Sequence, residues 1–169
     1  MASIDTSYGL FLHNLRSMLY LERRLEKELG HMAGEASHDN FSEALIDHQT
    51  VTSKQVSRLE DIFDIISVNP VEHEAMDFKG IFDELEHLTQ DIDDVDLLNV
   101  ALLGAAMKIG YIERSSYNHL IWMTDRVDVD DEVGELLGQN LEEESKALGR
   151  LENISERSWF EKLIDRLNT

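Results

Sequence analysis

Apolar residues recur every three to four positions along this chain, the period of an amphipathic helix, and no strand alternation appears. The first stripe holds Phe11, Leu15, Met18, Leu19, Leu25 and Leu29 and predicts a helix from about Thr6 to Ala36. Ser37 to Asn40 reads as a tight connection. Asn40, with Glu43 three residues on, has the spacing of a capping box. The second stripe is Phe41, Leu45, His48, Thr52, Gln55, Leu59, Ile62 and Ile66. It predicts a helix to about Val68, stopped by Asn69-Pro70.

Residues 71–93 read as a connector whose Phe78, Ile81, Phe82, Leu85 and Leu88 predict a short amphipathic helix. A third long helix is expected from about Asp94 to Asp125. Its first half, Leu97 to Ile112, is apolar nearly all round, which places it in the core or in a subunit interface. Gly104, Ala105 and Ala106 permit close helix approach there. Aspartates between 128 and 131 suit the positive end of a fourth helix running from about Asp131 to Ser155. Its stripe is Val133, Leu137, Asn140, Leu141, Glu144, Leu148 and Leu151. The tail, with Trp159, Phe160, Leu163, Ile164 and Leu167, reads as a further amphipathic turn or two packed on the bundle or on a partner subunit. It lacks the basic flank of a membrane-surface peptide. Four long helices joined through one crossing connector predict a single all-α domain over residues 1–169, a ferritin-like antiparallel four-helix bundle.

Three of these stripes are interrupted by a carboxylate. Glu22 lies on the face of Leu15 and Leu29, Glu113 with Leu102, Ile109 and Leu120, and Glu144 with Leu137 and Leu151. A carboxylate in such a position is costly unless it is neutral, hydrogen-bonded or shared with a cation. The second helix offers His48, Thr52 and Gln55 on its inward face. Di-metal carboxylate bundles use one Glu from each of two helices and Glu-x-x-His from each of the other two. Here Glu22 and Glu113 supply two single glutamates and Glu144 begins a third contribution. Position 147 is Ala, however, and position 51 is Val. The candidate metal ligands are therefore Glu22, Glu113, Glu144 and His48. Glu84-x-x-His87 has the spacing of a metal pair but sits on the outward face of the connector and reads as solvated surface. His73, between Glu72 and Glu74, is set aside in the same way.

Composition narrows the chemistry. Fifteen Lys and Arg face 35 Asp and Glu, a formal charge of −20, which repels nucleic acid. With 42% hydrophobic residues in periodic order, the chain is a folded protein with an acidic surface rather than a disordered acidic segment. So acidic a surface resembles that of halophilic proteins, in which salt screens the self-repulsion. The absence of cysteine excludes disulfides, thiolate catalysis and cysteine-ligated metal centres. No basic region or long apolar core opens the sequence, so a cytoplasmic location is expected. The run from Leu97 to Ile112, broken by Asn99 and Lys108, is short and polar for a bilayer span, and no membrane partner is expected.

The segments from Leu10 to Arg16 and from Leu21 to Leu25 resemble the opening of the YciE/YciF ferritin-like proteins. So do His48 to Gln55 followed by Arg58-Leu59-Glu60, the Glu74-Ala75-Met76 connector, and Leu141 to Glu144. The resemblance covers about residues 8–152. It implies an antiparallel bundle, usually dimeric, with a di-iron-type site and a stress-associated role. Glu22 matches the family's first-helix glutamate, Glu113 a third-helix one, and Glu143 or Glu144 a fourth-helix one. Val51, Gly110-Tyr111 and Leu148 stand where that pattern carries further ligands. The combined expectation is a homodimer whose di-metal site is partly dismantled. Two readings follow. In one the bundle is a metal-free scaffold or interaction dimer, its glutamates protonated or bonded to Tyr117, Gln55 or His48. In the other it binds iron or manganese, with residual ferroxidase or peroxide-consuming activity.

Overall fold

Each stripe becomes the buried face of one helix. The computed structural model describes residues 4–156 and 158–168; the side chains of Ser158 and Trp159 are excepted, so the expectation for Trp159 lies outside the described residues. The helices are α1 (Ser7–Glu35), α2 (Asp39–Ile65), α3 (Met76–Asp91), α4 (Val95–Thr124), α5 (Asp131–Ser155) and α6 (Ser158–Leu167).

Local chemistry sets most of the ends. The Thr6 hydroxyl accepts from the Gly9 amide over 2.9 Å at the start of α1. Asp94 accepts from the Asp96 and Leu97 amides at 3.0 and 2.9 Å, and Asp130 from Glu132 at 3.0 Å, so α4 and α5 begin on carboxylate caps. The start of α2 differs from the expected capping box. The helix begins two residues earlier, at Asp39, and the cap residue, His38, makes no side-chain cap bond. Its end comes before Asn69-Pro70. Ser67 takes a left-handed conformation with φ of 55°. Its amide bonds to the Asp64 carbonyl and that of Val68 to Phe63, a Schellman closure completed without glycine.

The four long helices pack in the order α1, α2, α5, α4, with α4 returning to α1. Cross-helix bonds fix their directions. Ser37, just beyond α1, meets Asn99 near the start of α4, while Asn14 meets Met123 at the other end, so α1 and α4 are antiparallel. Asp47–Arg150 and Gln55–Asn140 make α2 and α5 antiparallel in the same way. The chain therefore leaves α2 at one end of the bundle and must enter α4 at the other. Residues 66–94 make that crossing, and α3 packs Phe78, Phe82 and Leu85 inward along it. This is the single-crossover bundle that the sequence predicts.

By length and composition α4 is long and apolar enough to cross a membrane, a property that the core helix of a water-surrounded bundle shares. In this fold it packs against α1, α3, α5 and α6, burying Leu98, Leu102, Leu103, Ala106 and Ile109. The expectation that its first half is covered all round holds only in part, since Leu97, Gly104 and Tyr111 stay exposed. The tail packs on α4 and α5 through the buried Leu163 and the half-buried Phe160.

Candidate metal centre

Each helix of the bundle sends one carboxylate or imidazole to the axis: Glu22 from α1, His48 from α2, Glu113 from α4 and Glu144 from α5. The three glutamates have no exposed surface and His48 retains 4%. Heptad spacing explains the placement. Leu15, Glu22 and Leu29 lie two turns apart on one face, as do Leu137, Glu144 and Leu151, so the leucines that bury each face carry its carboxylate inward.

These four side chains divide into two linked groups. Nε2 of His48 lies 3.3 and 3.2 Å from the two oxygens of Glu144. One ligand atom from each of His48, Glu113 and Glu144 lies within 4.8 Å of the other two. Glu22 stands outside that triad. The Tyr117 hydroxyl donates a hydrogen bond to its Oε1. Nδ2 of Asn140 donates to the Tyr117 oxygen over 2.9 Å, and the Asn140 Oδ1 accepts from Arg58 at 2.8 Å. Arg58 then clamps Glu143 with bonds of 2.6 and 2.8 Å. Of the two adjacent glutamates, Glu144 points to the axis and Glu143 to the rim.

Protonation follows from this layout. Burial pushes the Glu113 carboxyl well above the ordinary range, and repulsion from Glu144 and Glu22 pushes it further. Burial also raises Glu22, with repulsion from Glu144 adding to it and the Tyr117 bond partly offsetting it. Burial acts upward on Glu144 as well. The bond and charge of His48, with help from Glu113 and Gln55, outweigh it and hold Glu144 below the ordinary range. The pattern is a neutral Glu113 donating to an ionised Glu144. Without that proton neither Glu113 oxygen has a donor, and Glu22 Oε2 also lacks one.

A cation would satisfy the same oxygens. Nε2 of His48 and the carboxylates of Glu113 and Glu144 form a nitrogen–oxygen set suited to one iron or manganese ion. The residues do not offer the same for a second ion. A Cβ built on Gly110 would lie 3.3 Å from Cδ1 of Leu148 and 3.5 Å from its Cβ, so Leu148 packs directly on the α4 backbone there. Val51 and Ala147, the other positions without ligands, line a cavity of about 190 Å³ beside His48 and Glu143.

Glu84 and His87 are both exposed on α3, as read from the sequence. Arg58 was not singled out there as a site residue. Its signal was its position three residues after Gln55, at the edge of the inward stripe, from which a long side chain reaches the bundle interior.

Comparison with known proteins agrees with this architecture. Residues 6–164 match the family described as Domain of unknown function (DUF892). Protein YciF of Escherichia coli (strain K12) is 23% identical over 143 residues, covering 84% of this chain and 86% of that protein. Among solved structures, YcfI from Rhodopseudomonas palustris superposes with a TM-score of 0.85 at 28% identity, covering 89% of this chain and 96% of that one. The E. coli stress protein YciF gives 0.83 at 21% identity, covering 98% and 99%, a likeness of fold. With nearly its whole length matched, the chain belongs to the DUF892 family and is a YciF-like, all-helical member of it.

Proposed function

We propose that this protein is a YciF-like, stress-associated bundle that holds a single iron or manganese ion between His48, Glu113 and Glu144. The observation that carries this reading is the buried triad itself, with ligand atoms within 4.8 Å and two Glu113 oxygens that lack a donor. Glu22 takes a supporting place through Tyr117. Bound there, the ion would supply Lewis acidity and, if iron, one-electron chemistry. The chain's own residues exclude bulk water, orient His48 against Glu144, and surrender the Glu113 proton on binding. Ferroxidase chemistry of the paired-iron type is not part of this proposal, because Leu148 fills the space where a further acidic ligand would stand. We further propose that the protein is a homodimer, as the sequence resemblance implies.

One observation favours a second reading, that of a metal-free scaffold. The Glu113 proton shared with Glu144 and the Tyr117–Asn140–Arg58 chain satisfy much of the polar interior unaided. Anaerobic titration of chelator-treated protein with Mn(II), followed by elemental analysis, separates the two. One equivalent per chain, lost in a Glu113→Gln/Glu144→Gln variant, is expected. No uptake supports the scaffold, and two equivalents at this centre contradict the single-ion site. Sedimentation measures the dimer.

A further inference from the structure

A second cavity, of about 660 Å³, opens where α1, the later half of α4 and the segment leading into α3 meet. It shares the α1–α4 seam with the carboxylates but none of their residues. Met18 on its wall is one turn before Glu22, and Ser116 on its wall adjoins Tyr117. His13, His73 and His119 line it, together with Asn14 and Asp77.

His13 belongs to α1, and His73 to the connector 60 residues later. The fold nevertheless sets their half-buried rings 4.6 Å apart between centres, with 50° between planes. The connector is tied down at this point. The His73 amide donates to the Arg16 carbonyl over 3.3 Å, and the neighbouring Glu72 pairs with Arg23 at 2.9 Å. Neither ring donates or accepts a hydrogen bond among the described residues, so four ring nitrogens are left for another partner.

The ring spacing has a chemical counterpart. Imidazole nitrogens bind a divalent transition metal at about 2.0–2.1 Å, so two imidazoles bound at adjacent positions have ring centres roughly 4.5–5.2 Å apart. The observed separation falls in that range. Asp77 also lines the cavity, its carboxylate accepting from the Phe78 amide over 3.0 Å. A chain carrying 20 net negative charges also concentrates cations at its surface.

We propose that His13 and His73 form a second metal site, one that takes a nitrogen-preferring divalent cation such as Cu(II) or Zn(II). Its ligand set is the complement of the buried one. Two neutral imidazoles select late transition metals, whereas one imidazole with two carboxylates also accepts harder ions. The two sites are therefore distinguishable by metal as well as by residue, and the imidazole site does not depend on the carboxylate reading.

The test is Cu(II) titration of chelator-treated, full-length protein followed by electron paramagnetic resonance. The expected result is a Cu(II) species with hyperfine coupling to two imidazole nitrogens. It should be lost in His13→Gln and in His73→Gln and kept in His87→Gln, which removes an exposed histidine of α3. It should also persist in Glu113→Gln/Glu144→Gln, so failure of the buried centre leaves this result intact. Melting curves of the two half-buried variants, expected to match the parent, establish that they fold. A two-nitrogen signal that survives both His13→Gln and His73→Gln, or that disappears with His48→Gln alone, overturns the proposal.

Discussion

Leu148 of α5 packs against the backbone of α4 at Gly110, close enough that an added Cβ would come within 3.3 Å of its Cδ1. Under the proposed function, this contact limits the interior to one ion rather than two. An absent side chain on α4 and an apolar one on α5 fill each other's space, leaving no polar wall for a second site. The nearest obstruction is the end of a flexible side chain. Gly110→Ala should therefore be nearly neutral, because relief of helical glycine, roughly 0.5–1 kcal/mol, offsets a small shift of Leu148. Gly110→Leu overfills the contact and should cost about 1–3 kcal/mol. Urea unfolding of both variants checks the pair. A large loss in Gly110→Ala would mean that Leu148 cannot move.

Tyr117 joins Glu22 to the rest of the interior. Its hydroxyl donates to Glu22 and accepts from Asn140. Tyr117→Phe removes both bonds while keeping the ring, so a buried carboxylate oxygen and an amide each lose a partner. Destabilisation of about 1–3 kcal/mol is expected. In a double-mutant cycle with Glu22→Gln the two substitutions should couple by roughly 0.5–3 kcal/mol, since they act on one bond. Additive effects would show that Glu22 draws its stability from elsewhere.

The bundle was legible in the sequence because stripe, cap and breaker agreed. The leucine heptads around Glu22 and Glu144 specified both a helix and its inward face, and Asp94 marked the start of α4 to within a residue. The end of α2 was less legible, because a Schellman closure at Ser67 depends on a left-handed serine that composition does not announce. The buried glutamates were visible one helix at a time. Their division into a His48–Glu113–Glu144 triad and a Glu22–Tyr117 pair was not, because it depends on the depth at which neighbouring helices meet. The contact of His13 with His73 lies further out of reach, since it depends on how the connector crosses α1.

Charge makes stability depend on salt. Thirty-five acidic side chains face 15 basic ones, and several of the pairs present are exposed i,i+4 contacts such as Lys146–Glu142, worth little each. Raising salt from about 0.1 M to about 1 M shortens the screening length from roughly 10 to roughly 3 Å and relieves the net repulsion. The melting temperature should rise with KCl by several degrees, given that about 1 kcal/mol shifts a chain of this size by roughly 2–4 °C. Thermal melts across a KCl series measure it. A flat or falling response would count against an adaptation to salt.

The interior gives a pH dependence whose sign follows from Glu113 and Glu22. Both carboxyls are raised above the ordinary value of 4.5, by burial first and by neighbouring carboxylates second. In that window the folded state binds more protons than the unfolded one, so stability falls as pH rises from about 4.5 toward the folded-state values. Glu144 acts oppositely. Its carboxyl is held low by His48, so its contribution is present above about 4.5 and is lost only as pH falls below that. Between about pH 5 and about pH 8 the Glu113 effect therefore stands apart from that of Glu144. Repulsion among surface carboxylates also grows with pH, which makes the variant comparison essential. Chelator-treated wild type should lose more stability across this range than Glu113→Gln, which keeps a neutral side chain at every pH. Mn(II) should flatten the wild-type curve at the alkaline end, because the ion replaces the proton that Glu113 gives up. Denaturant unfolding at both pH values, with and without Mn(II), provides the measurement. Parallel curves for wild type and Glu113→Gln would show that Glu113 does not carry the proton assigned to it.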